Sequence, residues 1–229
     1  MPKPREPMPE NVQKLSERLR SDDDRERVRA VEEAEGIKHP SIIPVLAEAL
    51  RKNTNYIVRG VAARTLGNIG HPDAIPALAK ALKDDFDLDV RLIAAGALGK
   101  IKHKTVVTPL AKVLLDNEFK VGIAAAGALG NAGPRAIPHL VKILGPPHQH
   151  FELRAATVRA LRKISHALQT ETARTKEAKA LQLVGPYFHE DEHPQVARKA
   201  YEAALAGKIT PANARLYIKQ LRAVKGNLK

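Results

Sequence analysis

Apolar positions recur along this chain at helical spacing, and the spacing itself recurs. The stretch from Val58 to Leu82, VRGVAARTLGNIGHPDAIPALAKAL, returns as Val90 to Leu114 (VRLIAAGALGKIKHKTVVTPLAKVL) and as Val121 to Leu144 (VGIAAAGALGNAGPRAIPHLVKIL). Val58, Val90 and Val121 open one predicted helix, and Leu66, Leu98 and Leu129 close its apolar stripe before a second helix begins. A period of about 31 residues is that of a helix pair, which cannot bury its apolar face alone, so the pattern predicts a stacked array.

The flanks are less regular. Four Pro in the first nine residues predict an extended arm over 1–9. Val12, Leu15 and Leu19 then fall at helical spacing, predicting a capping helix and linker over 10–27. Repeats are expected over 28–207, the first opening at Val28-Arg29; its span to Leu46 is two residues shorter than that from Val58 to Leu78, so its first helix is expected to be trimmed or shifted. A fifth, longer unit opens at Leu153-Arg154 and a sixth near Val196. A C-terminal capping helix is expected over 208–229, with Ala214, Tyr217, Ile218, Leu221 and Val224 on one face and Arg215, Lys219 and Arg222 on another.

Local signals agree with helix pairs. Gly67, Gly99 and Gly130 form a column where a missing side chain is expected to let the two helices of a unit approach, and Gly70 and Gly133 are expected to end the first helix. Pro44, Pro76 and Pro138 fall in the first turn of the second helix, where no helical amide bond is lost; Thr108 takes that place in the third unit. Asn55 and Asp87 are placed to cap the first helices.

Composition narrows the picture. Of 229 residues, 44% are hydrophobic but only 3% aromatic, with no Trp, so the core is expected to be Ala, Leu, Ile and Val packed closely. The absence of Cys removes disulfides, thiolate metal sites and cysteine nucleophiles, and suits a reducing compartment. No apolar run spans a bilayer and the first residues lack the apolar core of a signal peptide, so a soluble, cytoplasmic protein is expected. A net charge of +13 implies attraction to something anionic.

The Val-Arg opening, the Ala-rich stripe, the Leu-Gly pair and the Ile-Pro ahead of an Ala-Leu helix resemble the HEAT-repeat family, in its short bacterial and archaeal form named after phycobilisome lyases. The resemblance covers roughly Val28 to Leu205. It implies an all-α fold, an α–α superhelix of stacked antiparallel helix pairs whose second helices line a concave surface. It does not imply one function, because the family includes scaffolds, phycobilin lyases, iron-dependent deoxyhypusine hydroxylases and DNA glycosylases.

No residue set supports catalysis. His189 to His193 reads HEDEH and matches the HExxH pattern of zinc proteases. Pro194 biases His193 away from helical geometry, and the segment falls where other units have an acidic loop, so a loop is expected. The His-Glu pairs in matching repeats that an iron site would need reduce to His189-Glu190, and His139, His148 and His150 have no fixed ligand spacing. Glycosylase chemistry lacks its aromatic residues, and no G-x-S-x-G motif is present. Neither a catalytic site, a metal nor a cofactor is expected.

The informative feature is a basic column. Lys80, Lys112, Lys142 and Lys179 hold one slot of the second helix, through AKAL, AKVL, VKIL and AKAL, while Glu48 holds it in the first unit. The competing reading is an ordinary solvated face. A second basic group is expected in the turns between helices: Lys38 and His39, His71, Lys100, Lys102, His103 and Lys104, Arg135, then Arg162, Lys163 and His166. Acidic residues (Asp84, Asp85, Asp87, Asp89, Asp116, Glu118) gather in the loops at the other edge, and Arg29, Arg59, Arg91 and Arg154 are expected to pair with such carboxylates. The resulting reading is a non-enzymatic adaptor that holds an acidic protein partner, with Lys80, Lys112, Lys142 and Lys179 on the concave face and Lys100, Lys102 and Lys104 on its rim. The alternatives are a nucleic-acid-binding solenoid that grips phosphates without reading bases, and a phycobilin-lyase-like enzyme or subunit.

Overall fold

The computed structural model describes residues 8–37, 39–116, 118–145, 150–169, 175–188 and 194–226. The chain divides into two compact units, Met1–Val106 and Val107–Lys229. Among the described residues all regular structure is helical.

The first unit contains α1 (Glu10–Arg18), α2 (Asp24–Glu33), α3 (Ile42–Lys52), α4 (Tyr56–Ile69), α5 (Ile75–Asp84) and α6 (Leu88–Lys100). The second contains α7 (Val107–Lys112), α8 (Phe119–Ala132), α9 (Ile137–Ile143), α10 (Phe151–Leu168), α11 (Lys176–Val184), α12 (Pro194–Leu205) and α13 (Ala214–Gly226). Short 3-10 turns lead into the second helices at Ala34–Gly36, Pro72–Ala74, Lys104–Val106 and Pro134–Ala136. Within each unit first helices stack on first helices, α2 on α4 on α6 and α8 on α10, with second helices packed beside them.

The core is aliphatic. Leu46, Leu66, Leu78, Leu82 and Leu98 are fully enclosed or nearly so in the first unit, as are Leu110, Leu129, Leu140 and Leu161 in the second. Burying a Leu side chain contributes about 1.5–3 kcal/mol, so this aliphatic repeat suffices without large rings. The expected caps form: Asn55 accepts from the Ile57 amide at 2.8 Å, and Asp87 from the amides of Asp89 (3.0 Å) and Val90 (3.2 Å). Pro44, Pro76 and Pro138 lie in the first turns of α3, α5 and α9. Gly70 ends α4 in the left-handed region at φ 70°, whereas Gly133 ends α8 at φ 82° and ψ −160°, a region open essentially to glycine alone.

Two expectations need correction. The glycine column does not sit between the two helices of one unit. A Cβ on Gly67 would lie 2.6 Å from Cα and Cβ of Ala97 in α6, and one on Gly130 would lie 3.1 Å from Cα of Ala160 in α10, so the glycines admit the first helix of the next unit. The first helix of the first repeat is trimmed and shifted as expected, 10 residues against 14 in α4, but the shift removes Arg29 from the expected slot. Buried Ala30, Val31 and Ala34 match Ala62, Ala63 and Leu66, which puts Arg27 rather than Arg29 in the slot of Arg59. Arg27 bonds Asp24 and the Ser21 carbonyl; Arg29 is exposed.

α1 covers the start of the first unit and buries Val12 and Leu15. Arg18 ties it to α2, its Nε donating to Glu26 at 2.5 Å and its Nη groups to Glu33. The hydrogen bonds from Arg18 hold the Glu33 carboxyl below its ordinary range. A depressed carboxyl adds stability above its unfolded value and loses it as pH falls through its folded value. Hydrogen exchange at α1 should therefore rise on acidification below about pH 4, ahead of α4 and α6, and protection of α1 unchanged down to global unfolding would count against this tie.

Candidate functional site

The second helices owe their exposed basic slot to the same periodicity that builds the core. On α5, Leu78, Ala81 and Leu82 face inward, which turns Lys80 to solvent. Leu110 and Leu114 do the same for Lys112, Leu140 and Ile143 for Lys142, and Ala178 and Leu181 for Lys179. None of these four lysines pairs with a carboxylate among the described residues. Other surface cations do pair: Lys52 with Glu48 at 2.7 Å, Arg64 with Glu32 at 3.0 Å, Arg198 with Glu202 at 2.7 Å. Lys80 belongs to the first unit, and Lys112, Lys142 and Lys179 to the second.

The rim residues differ among themselves. Lys100 is the last residue of α6 and donates to Asn68 Oδ1 at 2.6 Å, while Asn68 Nδ2 donates to Glu35 at 3.0 Å, so Lys100 closes a polar ladder along the first helices. Lys102 and Lys104 are exposed in the turn after α6. The turn histidines are caps. In His39, His71 and His103 the Nδ1 accepts the backbone N–H two residues on, at 3.3, 3.2 and 3.4 Å. Arg162, Lys163 and His166 are not in a turn at all, since α10 runs to Leu168 and carries them, with Arg159, on its exposed face.

Charge on the other edge is partly internal. Arg59 is only 2% exposed and Asp85 7%; Nε and Nη2 donate to the two carboxylate oxygens at 2.8 Å each, and Nη1 to the carbonyls of Asn53 (3.0 Å) and Thr54 (3.1 Å). This is the expected pairing of an Arg opener with a loop carboxylate. The Phe86 ring lies 4.2 Å from that guanidinium and is 85% exposed. Arg59, Asp85 and Phe86 line one end of a groove of about 740 Å³ between α3 and α5, walled by Ala47 and Ala77 and bordered by Lys80. Periodicity does not announce this groove, since Phe86 sits in a loop and Ala47 reads only as a helix former.

A smaller hollow of about 500 Å³ lies on α10, lined by Arg159, Arg162, Lys163, His166 and Ala167. His139 and His150 are exposed, and His150 stacks on Phe119 with ring centroids 5.3 Å apart. Lys38, His148 and the stretch from His189 to His193 lie outside the described residues. Among the described residues no group of three or more His, Asp or Glu could hold a metal ion, and no helix is long and apolar enough to cross a membrane.

The family profile for HEAT repeats matches residues 12–95 and again 75–162. Comparison with curated proteins gives no match. Among solved structures, the chain is similar to the complex of CpcE and CpcF of phycocyanin lyase from Nostoc sp. PCC7120. The identity is 22%, the match covers 65% of this chain and 96% of that one, and the TM-score is 0.52. Human deoxyhypusine hydroxylase, solved in complex with glycerol, is 18% identical over 83% of this chain and 84% of its own, with a TM-score of 0.39. At 22% identity the likeness to the phycocyanin lyase complex is one of fold.

Proposed function

The chain belongs to the HEAT-repeat family, an all-α fold of scaffolds and adaptors, and on that premise we propose that it is a non-enzymatic adaptor holding an acidic protein partner against its second helices. The observation that carries this reading is the contrast among surface cations. Lys80, Lys112, Lys142 and Lys179 are exposed in one repeat slot without a carboxylate partner among the described residues, whereas Lys52, Arg64 and Arg198 each have one. Unpaired lysines at one recurring position leave a field that an anionic surface can satisfy. Lys102 and Lys104 extend that field at the rim, and Lys100 contributes less because Asn68 already engages it.

An acidic protein suits this surface better than nucleic acid. Non-specific single-strand binders stack bases on exposed rings, and rings make up only 3% of this chain. Changing Lys80, Lys112 and Lys142 together to Glu should abolish capture of an acidic partner at physiological salt while leaving the melting curve unchanged, because all three lie outside the core. Salt titration separates the classes. A duplex held through about five phosphates would lose affinity with a log–log slope of about −4.5, and an acidic protein would show a shallower dependence. Binding that survives the triple change would reduce the column to solvated surface.

A further inference from the structure

The groove between α3 and α5 lies wholly in the first unit, and its chemistry is uneven along its length. Its floor is small and apolar: Ala47 and the buried Leu50 come from α3, Ala77 and the buried Ala81 from α5. Alanines at these positions leave depth between the two helices, and about 740 Å³ falls within the range of about 300–1,000 Å³ common to ligand clefts. At one end stands Phe86, 85% exposed, with the Arg59 guanidinium 4.2 Å from its ring centroid. That cation–π contact orients the ring and leaves most of its surface to solvent. The charges divide into tied and untied groups. Glu48 is held by Lys52 at 2.7 Å and Asp85 by Arg59 at 2.8 Å, and Asp84 lies 3.8 Å from Lys83. Arg51 on α3 and Lys80 on α5 have no carboxylate partner among the described residues. Four cations and three carboxylates line the groove, so its surplus is a single positive charge.

We propose that this groove receives a short segment of a partner protein in which an aromatic side chain stands beside a single carboxylate. The ring fills the space over Ala47 and Ala77 against Phe86, where a large planar side chain displaces water from apolar walls at little conformational cost. The carboxylate meets Arg51 and Lys80, the two cations of the lining that lack a partner among the described residues. A run of carboxylates fits less well, because Glu48, Asp84 and Asp85 stand in the same walls and like charges repel. Shape and charge together therefore select one acid beside one ring rather than a uniformly acidic surface. The inference deepens the adaptor reading and rests on it for the partner being a protein. Lys80 is common to both, whereas the groove needs neither Lys112 nor Lys142, which belong to the second unit.

The test titrates short capped Gly/Ser-based peptides with a central Trp-Glu or Trp-Gln pair into the full isotope-labelled chain, followed by amide NMR shifts. The Trp-Glu peptide should bind saturably and more tightly than Trp-Gln, with the largest shifts at Ala47, Ala77 and Phe86. Arg51→Gln with Lys80→Gln should weaken Trp-Glu binding by about threefold or more and leave Trp-Gln binding nearly unchanged. Ala77→Trp fills the groove and Phe86→Ala removes its ring; each should weaken both peptides by about fivefold or more, and the second, at an exposed loop position, decides the matter if the first disturbs α5. Lys112→Glu with Lys142→Glu should leave both affinities within about twofold. The proposal is overturned by any of four results: no saturable binding, shifts centred outside the groove, affinities unmoved by the groove variants, or equal binding of the Trp-Glu and Trp-Gln peptides. Phenylpropionate binding as tightly as the Trp-Glu peptide would also overturn it, by making the groove a site for a small aromatic acid. Failure of the adaptor reading looks different: capture of an acidic partner would survive charge reversal at Lys80, Lys112 and Lys142 while the peptides still map to the groove of the parent chain.

Discussion

Gly67→Ala should destabilise the protein by about 2 kcal/mol or more, although Ala is the better helix former by about 1 kcal/mol. The added methyl would sit 2.6 Å from both Cα and Cβ of Ala97, and a backbone atom of α6 cannot rotate aside as a side-chain terminus can. Gly96 and Gly127 give the contrast. Both are mid-helix and exposed, with nothing within 4 Å of where a methyl would sit, so Ala there should stabilise by about 0.5–1 kcal/mol. Gly130 is intermediate, its nearest contact being Cα of Ala160 at 3.1 Å. Denaturant midpoints of the four single variants test the sign reversal. A Gly67→Ala protein as stable as the parent would mean that α4 and α6 can part without loss, contradicting the stacking that organises the first unit.

How much of this is legible in the sequence depends on whether a residue's role is local. Caps and prolines act within one turn, so Asn55, Asp87, Pro76 and Pro138 can be placed from their neighbours alone. The glycine column is visible, but its partner is not, because no local signal distinguishes a helix in the same unit from one about 30 residues away. The first repeat misleads through Val28-Arg29, a match in letters to Val58-Arg59. Burial of Ala30, Val31 and Ala34 sets the register instead, and only packing reveals it. Turn histidines read as part of a basic edge because they stand beside lysines, whereas their Nδ1 atoms accept backbone amides and cap the turns. Arg162 reads as a turn residue since earlier first helices end sooner, yet α10 continues to Leu168.

Asp85→Ala should cost about 3–5 kcal/mol, more than loss of any surface pair, because it strands a guanidinium that is 2% exposed. The carbonyls of Asn53 and Thr54 would still accept from Nη1, but no charge would remain to offset the desolvation of Arg59. Asp85 also accepts the Asp87 amide at 3.0 Å, so part of the loss belongs to the loop that leads into α6; Asp85→Asn, which keeps an acceptor there, separates the two contributions. Arg59→Met alone leaves a carboxylate that is 7% exposed without its cation, and should also be costly. The double variant should cost less than the sum of the singles by about 1–3 kcal/mol, since neither charge is then left alone. Salt supplies the discriminating measurement. The exposed Arg64–Glu32 pair should lose its small contribution within a few hundred millimolar salt, whereas the coupling between Arg59 and Asp85 should persist, because ions cannot enter to screen it. A coupling near zero at every salt concentration would show that Arg59 is held by the two carbonyls and the Phe86 ring, and that the groove between α3 and α5 does not depend on its ion pair.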